Sequence, residues 1–205
     1  MALMDYMRAK AILDKYKIRS VPSRYVSSAE QAVSFAGRDS IALKLLSDKV
    51  LHKSRAGLVK LNLSGAGEIG RAFGELKRKG RGIRQYRIIA QKMAKPGVEA
   101  IIGGNTDPQF GKVLLLGLGG VYVEAFGDTQ LRLCPITKYD AGQMIDGLRS
   151  KDILTGNGKS RDMLVELLMQ ASRLLTNNPR IKELDLNPVI LRDGSYDAVD
   201  IRVLV

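Results

Sequence analysis

Residues 182–205, "KELDLNPVILRDGSYDAVDIRVLV", constrain the fold of this 205-residue chain more than any other stretch. Two runs of alternating apolar and polar residues flank Asp193-Gly194, a favoured two-residue hairpin turn. With Arg192 paired to Ser195, counting outward sets Asn187 opposite Asp200 and Asp185 opposite Arg202. Leu184, Leu186 and Pro188 then share one face with Val203, Ile201 and Val199, and that apolar face must pack on a core. The other face presents Asp185, Asn187, Asp200 and Arg202 together.

Short strand and helix patterns alternate through the rest of the chain. Residues 2–16 carry Leu3, Met7 and Ala11 at helical spacing, and Ser27 with Glu30 reads as a capping box for a helix over 28–36. "RYVSS", "SIALKLL", "GLVKLNL" and "QYRIIAQKM" read as strands, with a helix over "AGEIGRAFGELKRK" that Gly80 and Gly82 end. After Pro96, "VEAIIGG", "KVLLLGL", "GVYVEAF" and "TQLRLCPI" are strand-like. Thr137 and Asp140 cap a helix to about 148, and Leu164, Leu167, Leu168, Ala171 and Leu175 mark another over 160–175. The pattern is α+β in two lobes, about 1–92 and about 93–205.

Composition excludes several classes. Hydrophobic residues are 45% and charged residues 26%, enough apolar content for a globular core. No apolar run approaches the roughly 18 residues of a membrane span, and the N-terminus carries charges throughout, unlike a signal peptide. A single cysteine, Cys134, forbids an internal disulfide, so the expected location is the cytoplasm. The net charge of +12 attracts phosphates, but aromatics are only 5% and Trp is absent, so the basic run "KRKGRGIRQYR" reads as a solvated loop after a helix rather than a nucleic-acid surface. "GLGG" at 117–120 lacks the helix that a dinucleotide fingerprint needs, and "TGNGKS" has Ile153 where a P-loop needs glycine.

A carboxylate and an amide oxygen opposed across a hairpin can share one hard cation; Mg²⁺ takes few protein oxygens and fills its shell with water and phosphate. Spacing alone leaves a solvated polar face with one ion pair equally open. Lys44 interrupts an apolar strand, where a lysine either reaches solvent or meets an anion. Glu99 interrupts another. His52 is the only histidine, and Lys53, Ser54 and Arg55 beside it suit phosphate handling. With one histidine, no histidine-rich metal site forms.

Four blocks, "ALKLLSDKVLHKSRAGLVKLNL", "QKMAKPGVEAIIGGNTDPQFGKVLLLGLGGVYVE", "RLCPIT" and "LDLNPV", resemble in order the ATP-grasp subunit of ADP-forming acetyl-CoA synthetases, and more distantly the β subunit of succinyl-CoA synthetase. The resemblance covers about residues 5–205. It implies an ATP-grasp fold, two lobes around a nucleotide cleft, and the reversible conversion of acyl-CoA, ADP and phosphate to acid, CoA and ATP. It implies ATP/ADP and Mg²⁺ as cofactors, with Lys44 on the phosphates, Gln91, Lys92 and Met93 by the adenine, and Glu99 beyond. It carries Asn187 and Asp200 over as magnesium ligands, Asp185 as an acid facing a phosphohistidine, and His52 as a residue that itself takes phosphate. Gly119 and Gly120 would line the approach of the partner's phosphohistidine. That partner is a CoA-binding α subunit, usually in an α2β2 assembly. Gly57-Leu58 and Lys92 depart from the family's usual Gly-Gly and acidic residue, with expected effects on the His52 loop and on nucleotide contacts. The rival expectations are a non-catalytic nucleotide sensor and, further off, a basic nucleic-acid-binding protein.

Overall fold

The structure, a computed structural model, describes residues 1–47, 57–120, 127–156 and 158–205. Contacts divide it into two compact units, Val21–Met93 and a second made of Met1–Ser20 with Ala94–Val205. The boundary between the units on the chain falls at Met93 and Ala94. The first 20 residues, however, go with the C-terminal unit, because α1 (Tyr6–Lys15) packs on the C-terminal strand and Leu3 bridges Leu204.

In the Val21–Met93 unit, β1 (Ser23–Val26), β2 (Ile41–Leu46), β3 (Val59–Leu63) and β4 (Arg87–Lys92) form an antiparallel sheet in the order β1-β4-β2-β3. α2 (Ala29–Ala36) and α3 (Gly65–Gly80) pack against each other and against the sheet. The core joins Ile41, Leu43 and Leu45 of β2 with Ile69, Phe73 and Leu76 of α3. The cap of α2 falls one residue later than the sequence pattern suggested. Ser28 is the N-cap and its hydroxyl accepts from the Gln31 N–H, while Ser27 is held by the Gln31 side chain. The basic run ends α3, where Lys77, Arg78 and Lys79 face the negative end of the helix dipole.

α3 is unusual in carrying Gly70 and Gly74 on a face where an added Cβ would meet nothing within 4 Å. Glycine in a helix interior is disfavoured by roughly 0.5–1 kcal/mol against alanine. Gly70→Ala and Gly74→Ala are therefore each expected to raise stability by about that much. The measurement is thermal melting, where 1 kcal/mol corresponds to about 2–4 °C for a chain of this size.

The other unit is built on a sheet of order β10-β8-β5-β6-β7, with β9 also on β8. Its strands are β5 (Val98–Asp107), β6 (Gly111–Leu118), β7 (Thr129–Leu133), β8 (Glu183–Arg192), β9 (Ser195–Ala198) and β10 (Ile201–Leu204). One face is covered by α6 (Arg161–Asn177), whose Leu164, Leu167, Leu168, Ala171 and Leu175 are fully buried, as the helical spacing required. α4 (Lys138–Asp146) begins with the expected Thr137–Asp140 capping box, and a short α5 (Lys151–Thr155) precedes the glycine loop. The strand expected at "GVYVEAF" lies outside the described residues. No helix among the described residues is long and apolar enough to cross a membrane.

Candidate functional site

The C-terminal hairpin has the register that its turn dictates. Arg192 pairs with Ser195, Ile201 with Leu186, and Arg202 with Asp185. Between these ladders the Asn187 N–H donates to the Asp200 carbonyl (3.3 Å) and the Val199 N–H to the Pro188 carbonyl (3.0 Å). Gly194 alone supplies the left-handed conformation at the turn (φ 65°). Leu184, Leu186, Ile201 and Val203 are buried, while Asp185, Asn187, Asp200 and Arg202 stay on the other side, half-buried or exposed. On the far side of β8 the ladder to β5 shifts by one residue between Ala100 and Ile102, across from Pro188, which has no N–H to donate.

Asp185 is the electrostatically strained member of this face. Asp185 is flanked by Gly103 on β5 and Arg202 on β10. Burial pushes the Asp185 carboxyl above its usual range, the neighbouring Asp200 and Glu183 push it further, and Arg202 opposes them. Arg202 also pairs with Glu183 at 3.8 Å. Sequence reading passed over Glu183, although the alternation Glu183, Asp185, Asn187 put it on the same face. The strain sits where a cation would relieve it.

A raised carboxylate pKa has a definite sign for stability. The folded chain holds the proton more tightly than the unfolded chain, so stability falls as pH rises from the ordinary Asp range through the folded value. Asp185→Asn is expected to raise the melting temperature in metal-free buffer at neutral pH, with a smaller gain in acid. Melting curves at the two pH values measure it.

Glu99, Gly119 and Gly120 come together along the same sheet. The Gly119 N–H donates to the Glu99 carbonyl (2.6 Å), and a Cβ at Gly119 would fall 2.8 Å from that backbone. Gly120, at φ 76°, faces the Glu99 carboxylate. The glycines are thus demanded by close approach to Glu99.

In the Val21–Met93 unit, Lys44 is the fourth residue of β2, between Ile89 and Val59, and only 5% exposed. A lysine reaching out to solvent would not be so covered. Gln91 is buried and its amide donates to the Ser23 hydroxyl (3.1 Å). Lys92 is turned to α2: its ammonium donates to the Ala36 carbonyl (2.6 Å) and Asp39 (2.8 Å), over the Phe35 ring. The Met93 N–H donates to the Ser40 carbonyl. Leu58 is buried in the core of this unit, so the departure Gly57-Leu58 anchors the chain there. His52 lies outside the described residues.

The description of the ATP-grasp domain matches residues 2–205. The β subunit of ADP-forming acetate–CoA ligase I from Pyrococcus furiosus is 33% identical, covering 96% of this chain and 89% of that one. The chain belongs to the ATP-grasp family of ADP-forming acyl-CoA ligases.

The ATP-grasp chain also superposes on the dinucleotide-forming acetyl-CoA synthetase 1 of Candidatus Korarchaeum cryptofilum, in complex with coenzyme A, Ca-AMPCP and HgCl⁺. That match has a TM-score of 0.92 and 34% identity, over 100% of this chain and 93% of that one. A second structure of that enzyme holds coenzyme A and Mg-AMPPCP, with a phosphohistidine segment pointing towards the nucleotide-binding site. It matches with a TM-score of 0.85 and 34% identity, over the same shares of the two chains. ATP citrate lyase from Methanothrix soehngenii, 13% identical with a TM-score of 0.66 over 98% of this chain and 50% of that one, shares the fold.

Proposed function

We propose that this ATP-grasp chain is the nucleotide-binding subunit of an ADP-forming acyl-CoA synthetase, which interconverts acyl-CoA, ADP and phosphate with acid, CoA and ATP through phosphohistidine. The observation that carries the reading is the strained acidic face of β8 and β10, in a chain that matches such subunits along its whole length. Nothing in the fold of a hairpin requires Asp185 and Asp200 to repel each other; a divalent cation removes the repulsion and brings nucleotide phosphates with it.

The donor set fits magnesium. Asn187 and Asp200 offer oxygens from directly opposed positions, and the remaining ligands are water and phosphate. When bound, Mg²⁺ neutralises charge on the nucleotide phosphates. Lys44 holds the phosphates from β2. Gln91, Met93 and Glu99 lie along the nucleotide. Lys92 pairs with Asp39 and donates to the Ala36 carbonyl at the end of α2. Asp185 faces the phosphorylated histidine, and His52 receives the phosphoryl group.

The CoA site and a second histidine belong to an α subunit, in an α2β2 assembly located in the cytoplasm. The test is co-purification of the tagged chain from its native cell, identification of the partner by mass, and reconstitution with Mg-ADP, phosphate and acetyl-CoA. ATP formation that needs both chains is expected. A chain that binds Mg-ATP but recovers no CoA-binding partner would instead be a sensor.

Lys44→Met, which keeps the stem and drops the charge, is expected to weaken nucleotide binding by about 1.5–3 kcal/mol, the range for a hydrogen bond to a charged group. Titration calorimetry with Mg-ADP reads it.

A further inference from the structure

The face of the sheet that bears Asp185 continues across three more strands. Register places Asp185 beside Gly103, Gly103 beside Leu115, and Leu115 beside Leu131. The adjacent row runs from Glu183 through Asn105 and Val113 to Leu133. Directly opposed residues point to the same face, so both rows lie on one surface. The opposite surface, with Ile102, Leu114 and Leu116, is the one buried under α6. The surface on the Asp185 side therefore ends in an apolar platform of Val113, Leu115, Leu131 and Leu133. Leu131 is 56% exposed and Leu133 is 54% exposed.

Two features tie the platform to the acidic group. The rows are continuous, and at about 4.8 Å per strand Leu131 lies about 14 Å from Asp185. Gly103 stands between them, and a Cβ there would make only a 3.4 Å contact with Leu115. Packing within this chain thus tolerates a side chain at 103, and glycine places none between Asp185 and Leu115.

From this continuity we infer that Val113, Leu115, Leu131 and Leu133 dock the partner subunit's histidine-bearing segment. Apolar side chains next to the histidine rest on the leucines, and the imidazole lies over Gly103 towards Asp185. The inference rests on the phosphohistidine reading above. In the Korarchaeum enzyme a phosphohistidine segment does point towards the nucleotide-binding site.

The experiment uses the complete chain and the CoA-binding subunit recovered by co-purification, phosphorylated on its histidine with ³²P. Formation of labelled ATP from Mg-ADP is followed against partner concentration. Leu131→Thr/Leu133→Thr keeps strand preference and removes the apolar contact at two exposed positions. It is expected to raise the KM for the phosphorylated partner at least tenfold, leaving the saturating rate and Mg-ADP affinity as in the parent. Leu131→Ile/Leu133→Ile is expected to behave as the parent, and single Leu131→Thr serves if the double variant melts early. An unchanged KM in a folded Thr variant overturns the docking surface. Concentration-dependent dimers of the isolated chain that the Thr variant abolishes also overturn it, by assigning the face to a second copy. No ATP from the parent chain overturns the phosphohistidine reading, and the docking surface with it.

Discussion

Asp200→Asn is expected to reduce magnesium-dependent nucleotide binding by at least 10- to 100-fold while the fold survives. Loss of a residue that only supports a metal ligand typically costs about that much in metal affinity, so loss of a ligand carboxylate should cost no less. Asp200 is held by its backbone: its carbonyl accepts the Asn187 N–H, and that bond does not depend on the carboxylate. The variant should also lose repulsion with Asp185, since Asp200 is one of the charges that raises the Asp185 pKa. Two readouts therefore move in opposite directions. Calorimetry with Mg-ADP should show weakened binding, and thermal melting without metal should show equal or higher stability. Asn187→Ala should weaken binding as well, without the gain in stability, because no charge is removed. Parental Mg-ADP affinity in both variants would reduce the hairpin face to a solvated surface with one ion pair.

His52→Ala is expected to abolish the phosphate label on this chain and the complete reaction, while Mg-nucleotide binding persists. The case is chemical. A relay between nucleotide and partner needs a nucleophile, and imidazole is the side chain that is neutral and available near pH 7. It needs positive charge around the transferring phosphoryl group, and Lys53 and Arg55 flank His52 in sequence. Since His52 is the only histidine, an acid-labile, base-stable phosphate on this chain has one place to be. Incubation of the phosphorylated partner with the parent chain, then acid and base treatment of the separated subunits, measures the label. Full ATP synthesis by the His52→Ala complex would mean direct transfer between nucleotide and the partner's histidine.

Local patterns decided a large part of this molecule. The β8–β9–β10 register follows from Asp193-Gly194 and a period of two, because one slipped residue would exchange the buried and exposed faces. α6 follows from five leucine and alanine positions at helical spacing, and the start of α4 from Thr137 and Asp140. The pairing of Asn187 with Asp200 is therefore legible in sequence.

Tertiary structure decided what distant segments do to one another. That β5 lies beside β8, placing Gly103 against Asp185, could not be read locally, because strand neighbours are chosen by how the whole apolar surface closes. The assignment of residues 1–20 to the C-terminal unit has the same origin: Leu3 bridges Leu204 through the backbone and α1 packs against β10. The resemblance carries Lys92 over as a residue by the adenine; its partner in the fold, Asp39, is 53 residues away, and no local pattern shows that pairing. The raised pKa of Asp185 is likewise tertiary. Burial comes first among its causes, and burial belongs to no residue taken by itself.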